Sequence, residues 1–264
     1  MNVPAVSIEA SPLLPCARPI ELHYRDVGRG NTLLILHGGW GYEFYPFDAQ
    51  IAALSTTHRF LIPDRTGYGK SAHLTELPPR FHEAAAIESE RFLDALGIER
   101  CAIWGHSDGA VIATIMALRD PARVTSIILE ALHVERVKPR SRAFFTMMAE
   151  DPDGFGPRVA ARLAAEHGDD WRAILRTGGR AWLAIAATPD DDFFERRLGE
   201  LRVPTLLVHG ADDPRTEPGE LDRIRREVLH ATIALIAGGQ HSPHSERAAS
   251  VETTAVAARF LRGA

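Results

Sequence analysis

Apolar residues along this chain fall into short unbroken runs, and the runs alternate with segments of helical spacing. Thr32-Leu-Leu-Ile-Leu36 has no polar interruption, which suits a strand covered on both faces. Comparable runs stand around Phe60-Leu-Ile62 and at Cys101-Ala-Ile-Trp104, Thr125–Glu130, Thr205–Gly210 and Thr232–Ile236. Glu21–Val27 alternates in part and reads as a strand ended by Gly28-Arg29-Gly30. Between the runs, a helix is predicted from about Phe47 to Leu54. Ala85, Ser89, Phe92 and Leu96 mark one face of another, which stops at Gly97. Ala110–Leu118 and the stripe Val251, Ala255, Ala258, Leu261 predict two more. A β-α alternation of this kind calls for a mostly parallel sheet with helices on both faces.

The rhythm breaks from about Val134 to Leu201. No clear strand is legible there. Arginines (Arg158, Arg162, Arg172, Arg176, Arg180) are scattered among apolar residues at helical spacing, and Phe144, Phe145, Met147, Met148, Trp171, Trp182, Phe193 and Phe194 supply bulk. The expectation is an α/β fold interrupted by an inserted helical cap: first part of the core 1–132, cap 133–201, second part of the core 202–264.

Composition narrows the function classes. A chain of 264 residues, 45% hydrophobic and 25% charged, is an ordinary globular protein with one large core. Its net charge of -5 argues against nucleic acid and anionic membrane as partners. The N-terminal stretch has no Lys or Arg before Arg18 and is broken by Pro4, Pro12, Pro15 and Pro19, unlike a signal peptide. No apolar run approaches the length of a membrane span. Cys16 and Cys101 form no disulfide framework, so a cytoplasmic location is the expectation. Oligomeric state is not legible.

The chemistry gathers where predicted strands end. Gly105-His-Ser-Asp-Gly109 follows a strand and opens a helix, lifting Ser107 to the tip of a tight turn with the Asp108 N–H at a helix N-terminus. Asp212 and Asp213 follow the run ending at Gly210. Gln240-His241-Ser-Pro-His244 follows the last strand, and Ser107, Asp213, His241 gives the chain order Ser…Asp…His. His37-Gly38-Gly39-Trp40-Gly41 lets backbone approach a ligand or an oxyanion closely. Gly69-Lys70-Ser71 mimics the end of a phosphate-binding loop. That motif needs glycine where Asp64 stands, so a tight structural loop is the reading.

Taken in order, the His37-Gly38-Gly39 loop, Asp64-x-x-Gly67-x-Gly69-x-Ser71, the Gly105–Gly109 elbow, His209-Gly-Ala-Asp-Asp213 and His241–His244 resemble the α/β-hydrolase superfamily from about residue 20 onward. The resemblance implies that fold, with Ser107 as nucleophile, Asp213 as acid and His241 as general base. It makes the amides of Gly39 and Asp108 oxyanion donors and places the lid in the irregular stretch. Asp212 and Glu130 compete as acid, His244 as base, and the Trp40 amide as donor; Gln240 stands where the family usually has glycine. Trp40 and Asp108 are the candidate substrate-binding residues. The Asp108 carboxylate either complements the helix dipole or favours a cationic substrate. The expected function is a serine hydrolase of small carboxylic esters or lactones, needing no cofactor and no metal. Carbon–carbon bond hydrolases, cofactor-free perhydrolases and non-catalytic binding proteins share these features.

Overall fold

Neighbouring residues of each apolar run point to opposite faces of one sheet, and both faces are covered. Leu33 and Ile35 pack with Phe60, Trp104, Ile128 and Leu206, while Leu34 and Leu36 pack with Ile103, Ile127, Leu129 and Leu207 on the other side. The structure, a computed structural model, describes residues 3–188 and 192–263. Its strands are β1 (Ala5–Ile8), β2 (Ile20–Gly28), β3 (Asn31–Leu36), β4 (His58–Pro63), β5 (Cys101–His106), β6 (Val124–Glu130), β7 (Thr205–Gly210) and β8 (Thr232–Ile236). Its helices are α1 (Asp48–Leu54), α2 (Phe81–Ala95), α3 (Asp108–Arg119), α4 (Arg142–Glu150), α5 (Pro157–His167), α6 (Trp171–Ala186), α7 (Glu220–Glu227) and α8 (Ser250–Gly263).

The sheet order is β1-β2-β4-β3-β5-β6-β7-β8. β1 and β2 run antiparallel to their neighbours and the remaining pairs are parallel. Helices α1 and α8 cover one face; α2, α3 and α7 cover the other. From β3 the chain steps to β4 on one side and returns to β5 on the other. The carboxyl ends of β3 and β5 therefore meet at a topological switch point, with Leu36 opposite Gly105.

Each predicted strand and core helix is present, with bounds shifted by a few residues. Two elements were not anticipated. β1 is a four-residue edge strand, too short to show a period. α7, Glu-Leu-Asp-Arg-Ile-Arg-Arg-Glu, buries only Glu220 and Ile224, so it offers almost no apolar stripe. The helix expected to stop at Gly97 does so. Ile98 N–H bonds to Leu93 O at 2.9 Å and Gly97 N–H to Asp94 O at 3.0 Å, a Schellman ending. Between β6 and β7 the chain leaves the sheet for α4, α5 and α6, whose buried aromatic and aliphatic side chains form one cluster with Trp40, Phe44 and Phe81. Among the described residues no helix is long and apolar enough to cross a membrane.

The elbow is a crossing that leaves no room for a side chain. A Cβ on Gly105 would lie 2.1 Å from Gly109 O, and one on Gly109 would lie 1.9 Å from Leu36 O. Both contacts are with backbone, so nothing nearby can yield cheaply. Gly109→Ala is expected to destabilise the fold by about 3 kcal/mol or more, read by urea denaturation. A loss below about 1 kcal/mol would show that α3 can slide away from β3 without cost.

Candidate active site

Ser107 sits between β5 and α3 with φ 54° and ψ -116°, a conformation that a non-glycine residue holds only under constraint. The constraint is visible: its N–H bonds to Glu130 O at 2.9 Å, and the two glycines let helix and strand cross around it. The strain aims the hydroxyl at His241. Ser107 Oγ–H donates to His241 Nε2 at 3.0 Å, and His241 Nδ1–H donates to Asp213 Oδ2 at 2.9 Å. The other Asp213 oxygen, Oδ1, accepts the Arg215 N–H at 2.9 Å. All three side chains are buried.

Burial and chemistry set the protonation states. Burial would raise the Asp213 carboxyl, but the His241 hydrogen bond and charge, with the Arg215 N–H, outweigh it and hold it at about 2. Burial, then the Arg215 charge, lowers His241, and Asp213 restores only part, leaving it at about 4. At neutral pH the imidazole is therefore free to accept a proton from Ser107.

The competing residues go elsewhere. Asp212 is exposed. Glu130 Oε1 accepts both the N–H and the Nδ1–H of His244, at 3.0 and 2.7 Å, and its Oε2 accepts Trp104 Nε1–H at 3.0 Å. His244 Nε2 faces Tyr45 O at 2.9 Å, away from Ser107. His106 Nε2 bonds to His241 O at 3.1 Å and bears on Ser242 Oγ at 3.0 Å, bracing the His241 loop. Where Gln240 replaces a glycine, Glu246 clamps the turn, accepting from the Gln240 and Ser242 amides at 2.7 Å each. Glu130, His106 and His244 converge closely enough to suggest a cation site. Each of the three is already held by the hydrogen bonds above, so the cluster reads as a structural network.

On the opposite side of Ser107 stand Gly39, Trp40 and Asp108, lining the same pocket. Among the described residues, no protein acceptor takes the amide hydrogens of Gly39, Trp40 or Asp108. Gly38 O accepts His37 Nδ1–H at 2.7 Å and Arg65 Nη2–H at 3.0 Å. A trans peptide points its N–H away from its C=O, so those two bonds turn the Gly39 N–H to the other side. His167 of α5 donates to Trp40 O at 3.0 Å and accepts from Gly69 N–H at 3.0 Å. The Asp64–Ser71 segment is indeed a structural loop: Ser71 Oγ–H bonds to Asp64 O at 2.6 Å, and Asp64 Oδ2 accepts Lys70 N–H at 3.0 Å.

The pocket is a narrow cavity of about 20 Å³. Phe144, Phe145 and Met148 from α4 and Trp182 from α6 close it over Ser107. Phe193, Phe194 and Trp171 pack into cores instead, and Met147 is exposed. The Asp108 carboxylate is not a free charge. His82 Nε2–H donates to Oδ1 at 3.1 Å, and Arg65 lies 3.7 Å from Oδ2. Burial would raise its pKa, but His82, Arg65 and Trp182 outweigh that and hold it below the ordinary value. His82, Arg65, His133 and Arg215 were all missed by sequence reasoning. Arg65, His133 and Arg215 each stand within a few residues of a parallel strand's carboxyl end, the one signal that could have flagged them. The His133 ring stacks on His241 at 5.6 Å. Its loop is pinned by Glu220, which accepts the Val134 and Glu135 amides and pairs with buried Lys138.

Two outcomes follow for measurement. Protonated His241 cannot accept the Ser107 proton, so kcat/KM should stay level from neutral pH downward and fall only as pH passes through about 4. A midpoint at or above 6.5, the ordinary imidazole value, would overturn the electrostatic account. Asp108→Asn leaves Arg65 buried without its carboxylate and should cost about 3 kcal/mol or more in denaturant unfolding. The ratio of amino-acid ester to deamino ester hydrolysis should not change in that variant. A shifted ratio would give Asp108 a role in reading a substrate cation.

A model of the alpha/beta hydrolase family matches residues 33–253 of the chain. The serine hydrolase BPHL of Mus musculus is 25% identical over 232 residues, covering 85% of this chain and 78% of that protein. The pimeloyl-[acyl-carrier protein] methyl ester esterase of Nitrosospira multiformis is 25% identical over 249 residues, covering 85% and 92%. Among solved structures, a thermophilic esterase from Thermogutta terrifontis superposes with a TM-score of 0.76 at 21% identity, over 98% of each chain. With its sheet order, elbow and family match taken together, the chain belongs to the alpha/beta hydrolase family and is a hydrolase of that family.

Proposed function

We propose that this protein is a serine hydrolase that cleaves small carboxylic esters or lactones through an acyl-serine intermediate. The observation that carries the proposal is the unbroken chain of hydrogen bonds from Ser107 through His241 to Asp213, set beside amides with no acceptor among the described residues. His241 takes the Ser107 proton as Oγ attacks the carbonyl carbon. The amides of Asp108 and of Gly39, turned by the bonds on Gly38 O, receive the developing oxyanion. His241 then protonates the leaving alcohol and later activates the water that releases the acid. Asp213 keeps the imidazole in the tautomer that leaves Nε2 open. In this reading residues 133–201 act as the lid. Its aromatic side chains dry the site and limit substrate size, Trp40 packs against the acyl chain, and no cofactor or metal takes part.

A panel of p-nitrophenyl esters of increasing chain length, with lactones alongside, sizes the pocket. Ser107→Ala should lose at least about 10⁴-fold in kcat and all labelling by a fluorophosphonate probe. Asp213→Asn should retain labelling but lose about 10³- to 10⁴-fold in kcat. Absence of labelling in folded wild-type protein would sink the proposal.

A further inference from the structure

The pocket holds one cation whose charge nothing in the described residues matches. Arg215 lies two residues beyond Asp213 and lines the same pocket as Ser107 and His241. Its guanidinium carbon sits 3.8 Å above the Phe144 ring, with the Tyr45 hydroxyl in hydrogen-bonding reach. Among the described residues no carboxylate comes within 4 Å of that guanidinium. Arg65, the other arginine near the pocket, is matched by Asp108, and Arg25 by Asp64 and Glu43.

A cation without a counter-charge, half-covered by aromatic rings, is unfavourable unless it faces water or meets an anion. Its position is also fixed. The Arg215 N–H is tied to Asp213, which fixes where the side chain leaves the backbone, and the ring of Phe144 holds the guanidinium at its other end. Stacking on Phe144 covers one face of the fork and leaves its edge free, the edge that takes a carboxylate in two parallel hydrogen bonds. In the serine-hydrolase reading His241 hands its proton to the leaving group, and Arg215 lines the pocket that His241 faces.

We propose that Arg215, with the Tyr45 hydroxyl beside it, is a carboxylate-binding subsite, and that the substrates are esters whose alcohol portion carries a free carboxylate. The inference rests on the serine-hydrolase reading. It also separates the two ends of the pocket. Asp108 is paired with Arg65, while no carboxylate among the described residues is paired with the Arg215 guanidinium.

The test compares 4-(butanoyloxy)benzoate with its methyl ester at pH 8, where His241 is neutral, in wild type, Arg215→Gln and Arg215→Lys. The wild type should prefer the free carboxylate through a lower KM. Arg215→Gln should reduce the charged-to-neutral ratio of kcat/KM by about 10- to 100-fold, and Arg215→Lys by less. A charged-to-neutral ratio unchanged in Arg215→Gln, with the methyl ester still hydrolysed, overturns the subsite and leaves the hydrolase reading intact. If wild type turns over neither probe and takes no fluorophosphonate label, the hydrolase reading fails and the subsite falls with it.

Discussion

The left-handed backbone of Ser107 is the constraint on which the rest of the molecule depends. Such a conformation costs about 1–3 kcal/mol and survives only where the surroundings over-determine it. Here β6 supplies the acceptor for the Ser107 amide, and Leu36 of β3 and Gly109 of α3 pass at a distance that excludes any side chain. The sheet with its two covered faces is what makes that crossing rigid. Once it is rigid, the hydroxyl, the Asp108 amide and the end of β3 share one small volume.

Electrostatics divides that volume into regions with different tasks. Three buried acids each hold a histidine, Asp108 taking His82. Asp213 orients His241 toward the hydroxyl, and Glu130 holds His244 and Trp104 beneath it. Burial pushes His106 and His133 well below the usual imidazole range and lowers His241 as well. A stack of neutral rings is compatible with proton acceptance at one of them; a stack of cations is not. The fixed charges are placed around this stack, the Asp108–Arg65 pair against Gly39 and Arg215 in the wall of the same pocket as His241.

The helical insertion contributes apolar walls and also braces the loop carrying Gly39 and Trp40. His167 bonds to that loop and to the Gly69 turn at once, so α5 links the helical insertion to the loops after β3 and β4.

By itself the sequence determined the order of strands and helices, the elbow and the identity of Ser107, His241 and the Asp212–Asp213 turn. These are local properties: apolar runs, helical spacing, and glycines where chains must nearly touch. β1 and α7 escaped because one is too short and the other too charged to display a period. Only the tertiary structure decided that Asp213 rather than Asp212 or Glu130 faces His241, since neighbours in a turn point in different directions. It alone paired Asp108 with Arg65 and His82, and left Arg215 over Phe144. Those contacts join residues 28 positions apart at Asp213–His241 and 134 at Ser107–His241. No local pattern records them, because they exist only once the sheet has brought its strand ends to one edge.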